Sequence, residues 1–427
     1  VSFGDGGFYS FFAWRTDLCS VYIELSNLSF LIKENTLYFL GEESDCKYKD
    51  RRINMINRQR LVDEFISLVK IDSLSRQERK MADALLKKLR DMGYEPYEDD
   101  AGAKIGGNAG NVVCHIKGEK DKPALLLMAH MDTVVPGISK NPIIDGDIIK
   151  TDGTTILGGD DFAGIAVILE TVRSLKEDST PFGDLYIAFT VCEEGGLYGA
   201  RNLDLSKIPA DFAFIFDEGG PIGQIAIKAP YYNRFEVIFH GRAAHAGVEP
   251  EKGLSAIMLA SKAISDMPYF GRIDEESTSN IGIINGGGAR NIVTESCRIE
   301  GEVRSISEDK INRYTDAILN HFKTVTESLG GSVQINLERM YPGFNISETD
   351  EIIGLIKDAS NASGIPLKLE ATGGGSDTNI INGAGIPAVN VSVGMENVHS
   401  KNEFIRISNL EKACHFLTAI IKAAYKR

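Results

Sequence analysis

The chain has 427 residues, a formal net charge of −14, and 43% hydrophobic and 25% charged residues, enough for two or three domains with ordinary buried cores. The acidic balance excludes a broad nucleic-acid-binding surface, which needs an excess of lysine and arginine. No run of about 20 apolar residues occurs, which excludes a membrane-spanning helix, and six cysteines at 19, 46, 114, 192, 297 and 414 form no CxxC pair, which indicates neither a disulfide framework nor a thiolate metal site.

The first residues do not follow the basic, apolar, small-residue order of a signal peptide, so the expected compartment is the reducing cytoplasm. Residues 1–54 carry the single tryptophan, Trp14, and sustain neither a helical nor a strand period. Arg51-Arg52-Ile53-Asn54-Met55 can be encoded as AGG-AGG-AUA-AAU-AUG, a ribosome-binding site just ahead of a start codon. Residues 1–54 are therefore expected to be a non-native or disordered extension, with Met55 the native start.

From Met55 the pattern is regular. Leu61, Phe65, Leu68 and Val69 form a helical stripe. Ser75-x-x-Glu78 reads as a capping box for a second helix through Met81, Leu85, Leu86 and Leu89, stopped at Gly93. Strands are expected at 111–116, 124–129, 185–191 and 212–216, with a helix over 161–175. That alternation predicts an α/β layer with a mainly parallel central sheet. Between about 230 and 342 the order becomes strand 234–239, helix 255–266, strand 279–284, strand 295–304, helix 309–329, strand 332–337, the ferredoxin-like βαββαβ pattern. A helix at 352–362, a strand at 388–393 and a helix at 409–424 return to the first style. The expected division is a discontinuous catalytic domain, 55–229 plus 343–427, and an inserted lid or dimerisation domain, 230–342.

Five clusters of polar residues fall at strand ends or in the loops after them, where α/β sheets place active sites. They are His130-Met131-Asp132, Gly158-Gly159-Asp160-Asp161, Glu193-Glu194, Asp217-Glu218-Gly219-Gly220, and Gly373-Gly374-Gly375-Ser376-Asp377 followed by His399. Alone, each reads equally as a surface histidine, a helix cap, a turn or a solvated loop. In an extended chain Asp132 shares a face with His130 and is placed to fix its tautomer, as a carboxylate behind a metal-bound imidazole does. Together, His130, Asp160, Glu194, Asp217 and His399 offer imidazole and carboxylate without thiol, which suits zinc, with manganese or cobalt as alternatives. Five ligands exceed the usual three of one catalytic zinc; sharing one carboxylate gives two ions three protein ligands each. Glu193 is then left beside a ligand, free to act as general base.

These motifs, with His245 in His240-Gly-Arg-Ala-Ala-His-Ala-Gly247, stand in the order seen in the dinuclear zinc exopeptidases that include peptidase T and carboxypeptidase G. The resemblance covers nearly all of 55–427, and the runs 373–379 and 396–404 look most like peptidase T and its relatives. It implies two zinc ions per subunit, with Asp160 bridging them across a cis Asp160–Asp161 bond. His130 and Asp217 would complete one site, and Glu194 and His399 the other. Peptidase T has its ligand Asp directly before Gly-Gly, where this chain has Glu218; Asp217 is preferred because it directly follows the apolar run 212–216.

The activity implied is release of N-terminal residues from short peptides, in the manner of a tripeptidase. Deacylation of N-acyl amino acids on the same scaffold is the alternative. His245 would donate to the developing oxyanion, supplied in several relatives by a partner subunit through the inserted domain. A terminal carboxylate suits a bidentate arginine. Arg304 is the candidate, with Asn291 and the Gly374, Gly375 and Ser376 backbone as polar partners.

Overall fold

A computed structural model describes residues 12–17, 20–25, 28–33, 36–41 and 56–427. The expected start at Met55 lies outside the described residues. Four six-residue strands, Phe12–Asp17, Ser20–Leu25, Leu28–Lys33 and Thr36–Gly41, form an antiparallel meander of their own. The expectation of no strand periodicity there is corrected. Two residues separate each successive pair, so the alternation restarts every eight residues and is lost in a window of 11–18.

A twelve-stranded mixed sheet dominates the rest. Its centre is four parallel strands in the order Leu185–Thr190, Leu125–His130, Phe212–Gly219, Ala388–Glu396. Antiparallel strands flank them on both sides. Every residue of Leu125–His130 is buried, as a strand covered on both faces requires. Its side chains alternate between two cores. Leu125, Leu127 and Ala129 pack in the larger one, with Phe65, Leu85, Phe162, Ile356 and Leu417 from five helices. Leu126 and Met128 pack on the opposite face with Ala188, Ile215 and Ile381.

The chain leaves this sheet after Gln224–Ala229 and returns at Phe344–Asn345, and these two short strands pair with each other, Ala229 opposite Phe344. Between them lies a second sheet whose four long strands run Ser277–Gly286, Ser296–Ser305, Tyr231–His240, Ser332–Tyr341, all antiparallel. That is the ferredoxin-like order, extended by the edge strand Gly271–Asp274. Phe235, Val237 and Phe239 face the helices Ala256–Ser265 and Glu308–Ser328 through Leu259, Ile318 and Phe322, a core separate from the first.

The expected capping box is corrected. The helix begins at Arg79 with Glu78 at its N-cap and no side-chain cap, and the Ser75 hydroxyl donates to Asp132 Oδ2 at 2.6 Å. The Pro142–Asp145 and Ile148–Thr151 hairpin was not anticipated, although Asp145-Gly146 is a turn signal.

Candidate active site

The carboxyl ends of the four parallel strands lie side by side, and each feeds one polar segment. His130 ends its own strand, Glu193 and Glu194 follow Leu185–Thr190, Asp217 lies near the end of Phe212–Gly219, and His399 follows Ala388–Glu396. Asp160 enters at the start of the segment Gly159–Glu177. Asp160 and Asp161 have non-helical backbone angles there, and the peptide bond between them is cis.

Asp160 lies between the two imidazoles. Its Oδ1 is 2.8 Å from His130 Nε2 and its Oδ2 is 3.1 Å from His399 Nε2. Asp217 Oδ1 is 3.8 Å from His130 Nε2, and Glu194 Oε1 is 2.8 Å from His399 Nε2. Two ligand-capable triads result, His130–Asp160–Asp217 and Asp160–Glu194–His399, each with its donor atoms within 4.8 Å of one another. Glu193 reaches the same distance from His130 and Glu194. His130 is 2% exposed, whereas the His399 side chain is 51% exposed, so the site opens on the His399 side. Asp217 belongs to a triad and Glu218 to none. Asn390 holds the Asp217 backbone at both ends, accepting its N–H at 3.0 Å and donating to its carbonyl at 2.9 Å.

Asp132 meets the His130 ring through both its backbone and its side chain. Its backbone carbonyl, 2.9 Å away, accepts from His130 Nδ1, while its carboxylate stands 3.5 Å off. That carboxylate accepts from the Glu193 N–H at 2.9 Å, the Glu194 N–H at 3.3 Å and the Ser75 hydroxyl. One buried anion thus holds the backbone of two site carboxylates. Sequence reasoning missed two further supports. Glu403 accepts from the N–H groups of Leu157, Gly158 and Asp160 at 2.7, 2.9 and 3.1 Å. Glu78 accepts from the Cys192 N–H at 3.1 Å. Both stand among polar residues in the chain, Glu78 between Gln77 and Arg79 and Glu403 after Asn402, so no local pattern marks either as buried.

Burial, then the neighbouring Asp377, Glu194 and Asp132 carboxylates, pushes the Glu193 carboxyl well above the ordinary range, while His130 opposes the shift. Burial and Asp160 do the same to Asp217. Burial would lower the His130 imidazole, but the Asp132 and Asp160 carboxylates outweigh it and raise it. Asp160 and Glu194 raise His399 to about 10. Among the described residues the ion-pair partners of Asp160, Glu194 and Asp217 are only the two histidines. Four crowded carboxylates with no lysine or arginine between them, set around two imidazoles, fit divalent cations.

The proposed substrate residues are spread more widely. His245 is exposed in Ala244–His245, which pairs with Ile292–Val293, and the carbonyl of Asn291 accepts from the Ala246 N–H at 3.0 Å. Among the described residues neither bonds to the carboxylate cluster. Arg304 lies in the strand Ser296–Ser305, with both oxygens of Glu302 accepting from it at 3.1 and 3.2 Å. Gly374, Gly375 and Ser376 precede the short helix Asp377–Gly383.

The chain is similar to known proteins over most of its length. The description "Peptidase family M20/M25/M40" matches residues 126–423. The chain is 43% identical over 372 residues to the uncharacterized protein YqjE of Bacillus subtilis (strain 168), covering 87% of this chain and 100% of that one. It superposes on the crystal structure of aminopeptidase PepT from Bacillus cereus with a TM-score of 0.80 and 42% identity, over 87% of this chain and 99% of that one. A tripeptidase from Staphylococcus aureus gives a TM-score of 0.83 and 37% identity, over 87% and 100%. With its carboxylate and imidazole triads on such a scaffold, the chain belongs to peptidase family M20/M25/M40.

Proposed function

We propose that this protein is a dinuclear metal exopeptidase that releases the N-terminal residue of short peptides, in the manner of a tripeptidase. The observation that carries the reading is Asp160, with one carboxylate oxygen on His130 and the other on His399. His130, Asp160 and Asp217 would hold one ion, and Asp160, Glu194 and His399 the other. Zinc suits this donor set, with manganese or cobalt as alternatives. Ions held there would supply Lewis acidity toward the scissile carbonyl and toward the attacking water. Glu193 accepts a proton from the attacking water and returns it to the leaving amine. Asp132 keeps Glu193 and Glu194 in place through their backbone N–H groups. Residues 55–229 and 343–427 form the catalytic domain and 230–342 the lid, through which two copies pair. Exposed Ile283, Ile284 and Ile292 support such a contact. No described helix is long and apolar enough to cross a membrane, and the four described cysteines are free, which fits a reducing cytoplasm.

The test is hydrolysis of a free tripeptide beside its N-acetylated twin by metal-loaded protein. Release of the first residue from the free peptide only, lost by about 10²–10⁴-fold in Glu193→Gln, supports the reading. Release of acetate instead supports the amidohydrolase alternative.

A further inference from the structure

We propose that the Tyr341 hydroxyl is a specificity-determining contact that donates its proton to the terminal carboxylate of the peptide substrate; this rests on the exopeptidase reading above. Tyr341 ends the strand Ser332–Tyr341, just before the chain crosses back to the large sheet.

Most of the donors expected for that carboxylate are already engaged. The Gly374 N–H bonds to Thr372 Oγ1 at 3.3 Å and the Ser376 N–H to Asn379 Oδ1 at 3.0 Å. The Arg304 guanidinium carbon lies 4.4 Å from the centre of the Tyr232 ring, with Glu302 answering its charge within the same strand. Its Nη1 donates to Tyr341 Oη at 3.2 Å. The arginine therefore acts through the tyrosine, and a phenol backed by a guanidinium is a strong donor to an anion.

Tyr341 is wedged between the two loops that frame the site. On one side it packs with Leu197, whose N–H bonds to the Glu193 carbonyl at 2.7 Å. On the other it meets Gly375 so closely that a Cβ there would stand 2.1 Å from Tyr341 Cζ and 2.4 Å from its Oη. Gly375 does not take a positive φ, so space for the phenol, not backbone freedom, requires a glycine. The hydroxyl oxygen accepts from Arg304, and neither its own proton nor the Gly375 N–H has an acceptor among the described residues. Two adjacent free donors with a cation behind them suit a carboxylate rather than a neutral carbonyl. Burial pushes the phenol up to about 12, so it keeps its proton at working pH.

The experiment compares kcat/KM for a free tripeptide and for the same peptide amidated at its C-terminus. Wild type is expected to favour the acid. Tyr341→Phe, which keeps the ring, should reduce the acid-over-amide preference by about 10- to 100-fold, mainly through KM, the value of one hydrogen bond to a charged group. Gly375→Ala, which displaces the phenol, should reproduce that loss. An unchanged preference in Tyr341→Phe, or equal losses on both peptides, would overturn the tyrosine's role while leaving the exopeptidase reading intact. A wild type inert toward both peptides would overturn that reading, and this inference with it.

Discussion

Glu403 shows how much of the site lies behind its proposed ligands. Its carboxylate receives three N–H groups of one loop, those of Leu157, Gly158 and Asp160, and it is 1% exposed. An amide in its place keeps the acceptor oxygen but points an N–H at backbone N–H groups. Glu403→Gln should therefore loosen Asp160 and weaken divalent-ion affinity by about 10–100-fold, as supporting contacts of metal ligands do. Titration of chelated protein with zinc checks this; unchanged affinity would mean that the loop holds its shape without the clamp. The residues proposed as ligands were legible because strand ends and acidic pairs are local signals. Their supports were not, because a buried carboxylate such as Glu403 is defined by chain 243 residues away. Asp132 was legible in part: the shared face of i and i+2 puts it at the His130 ring, but its hold on the Glu193 and Glu194 N–H groups is made with chain 61 and 62 residues away.

Between elements, Lys140 is the most unusual tie. Its ammonium donates to the carbonyls of Gly137 and Ile71 at 2.8 and 3.1 Å and lies 5.4 Å from the Phe162 ring. It joins the end of Arg58–Val69 to the first true helical turn of Gly159–Glu177. Burial lowers its pKa to about 8, although Asp72 and Glu403 oppose the shift. Below pH 8 the lysine is charged in both folded and unfolded chains. Between about 8 and the unfolded value of about 10.4, the unfolded chain holds the extra proton, so stability rises with pH in that window. The gain is at most about 3 kcal/mol, at 1.36 kcal/mol per unit. Urea unfolding from pH 8 to 10 should show this slope in wild type and not in Lys140→Met; parallel curves would remove the lysine as its source. The elements joined here were legible from periodicity, since Leu61, Phe65 and Leu68 repeat at helical spacing. The short edge piece Lys368–Ala371 was not, because four residues carry too little pattern to separate strand from loop.

At the scale of the whole chain, two crossings join two sheets with separate cores. Asn379 touches both crossings, donating to the carbonyls of Pro230 at 3.3 Å and Pro342 at 2.8 Å while accepting from the Ser376 N–H. The link is narrow, so the two units need not melt together. All the proposed metal ligands belong to the large sheet and its loops. Ions that bind only the folded state stabilise by about 2.7 kcal/mol per site at 100 times their Kd. Two sites at about 2–4 °C per kcal/mol give an expected rise of about 10–20 °C. Calorimetry of chelated and zinc-loaded protein should then resolve two transitions, with metal moving only the one that belongs to the large sheet. Transitions of the smaller sheet are identified by hydrogen exchange of strands such as Tyr231–His240. A single transition that moves as a whole would mean that the crossings transmit metal binding into that sheet. Residues of the smaller sheet, Arg304 and Tyr341 among them, would then be set in place by the ions as well as by their own strands.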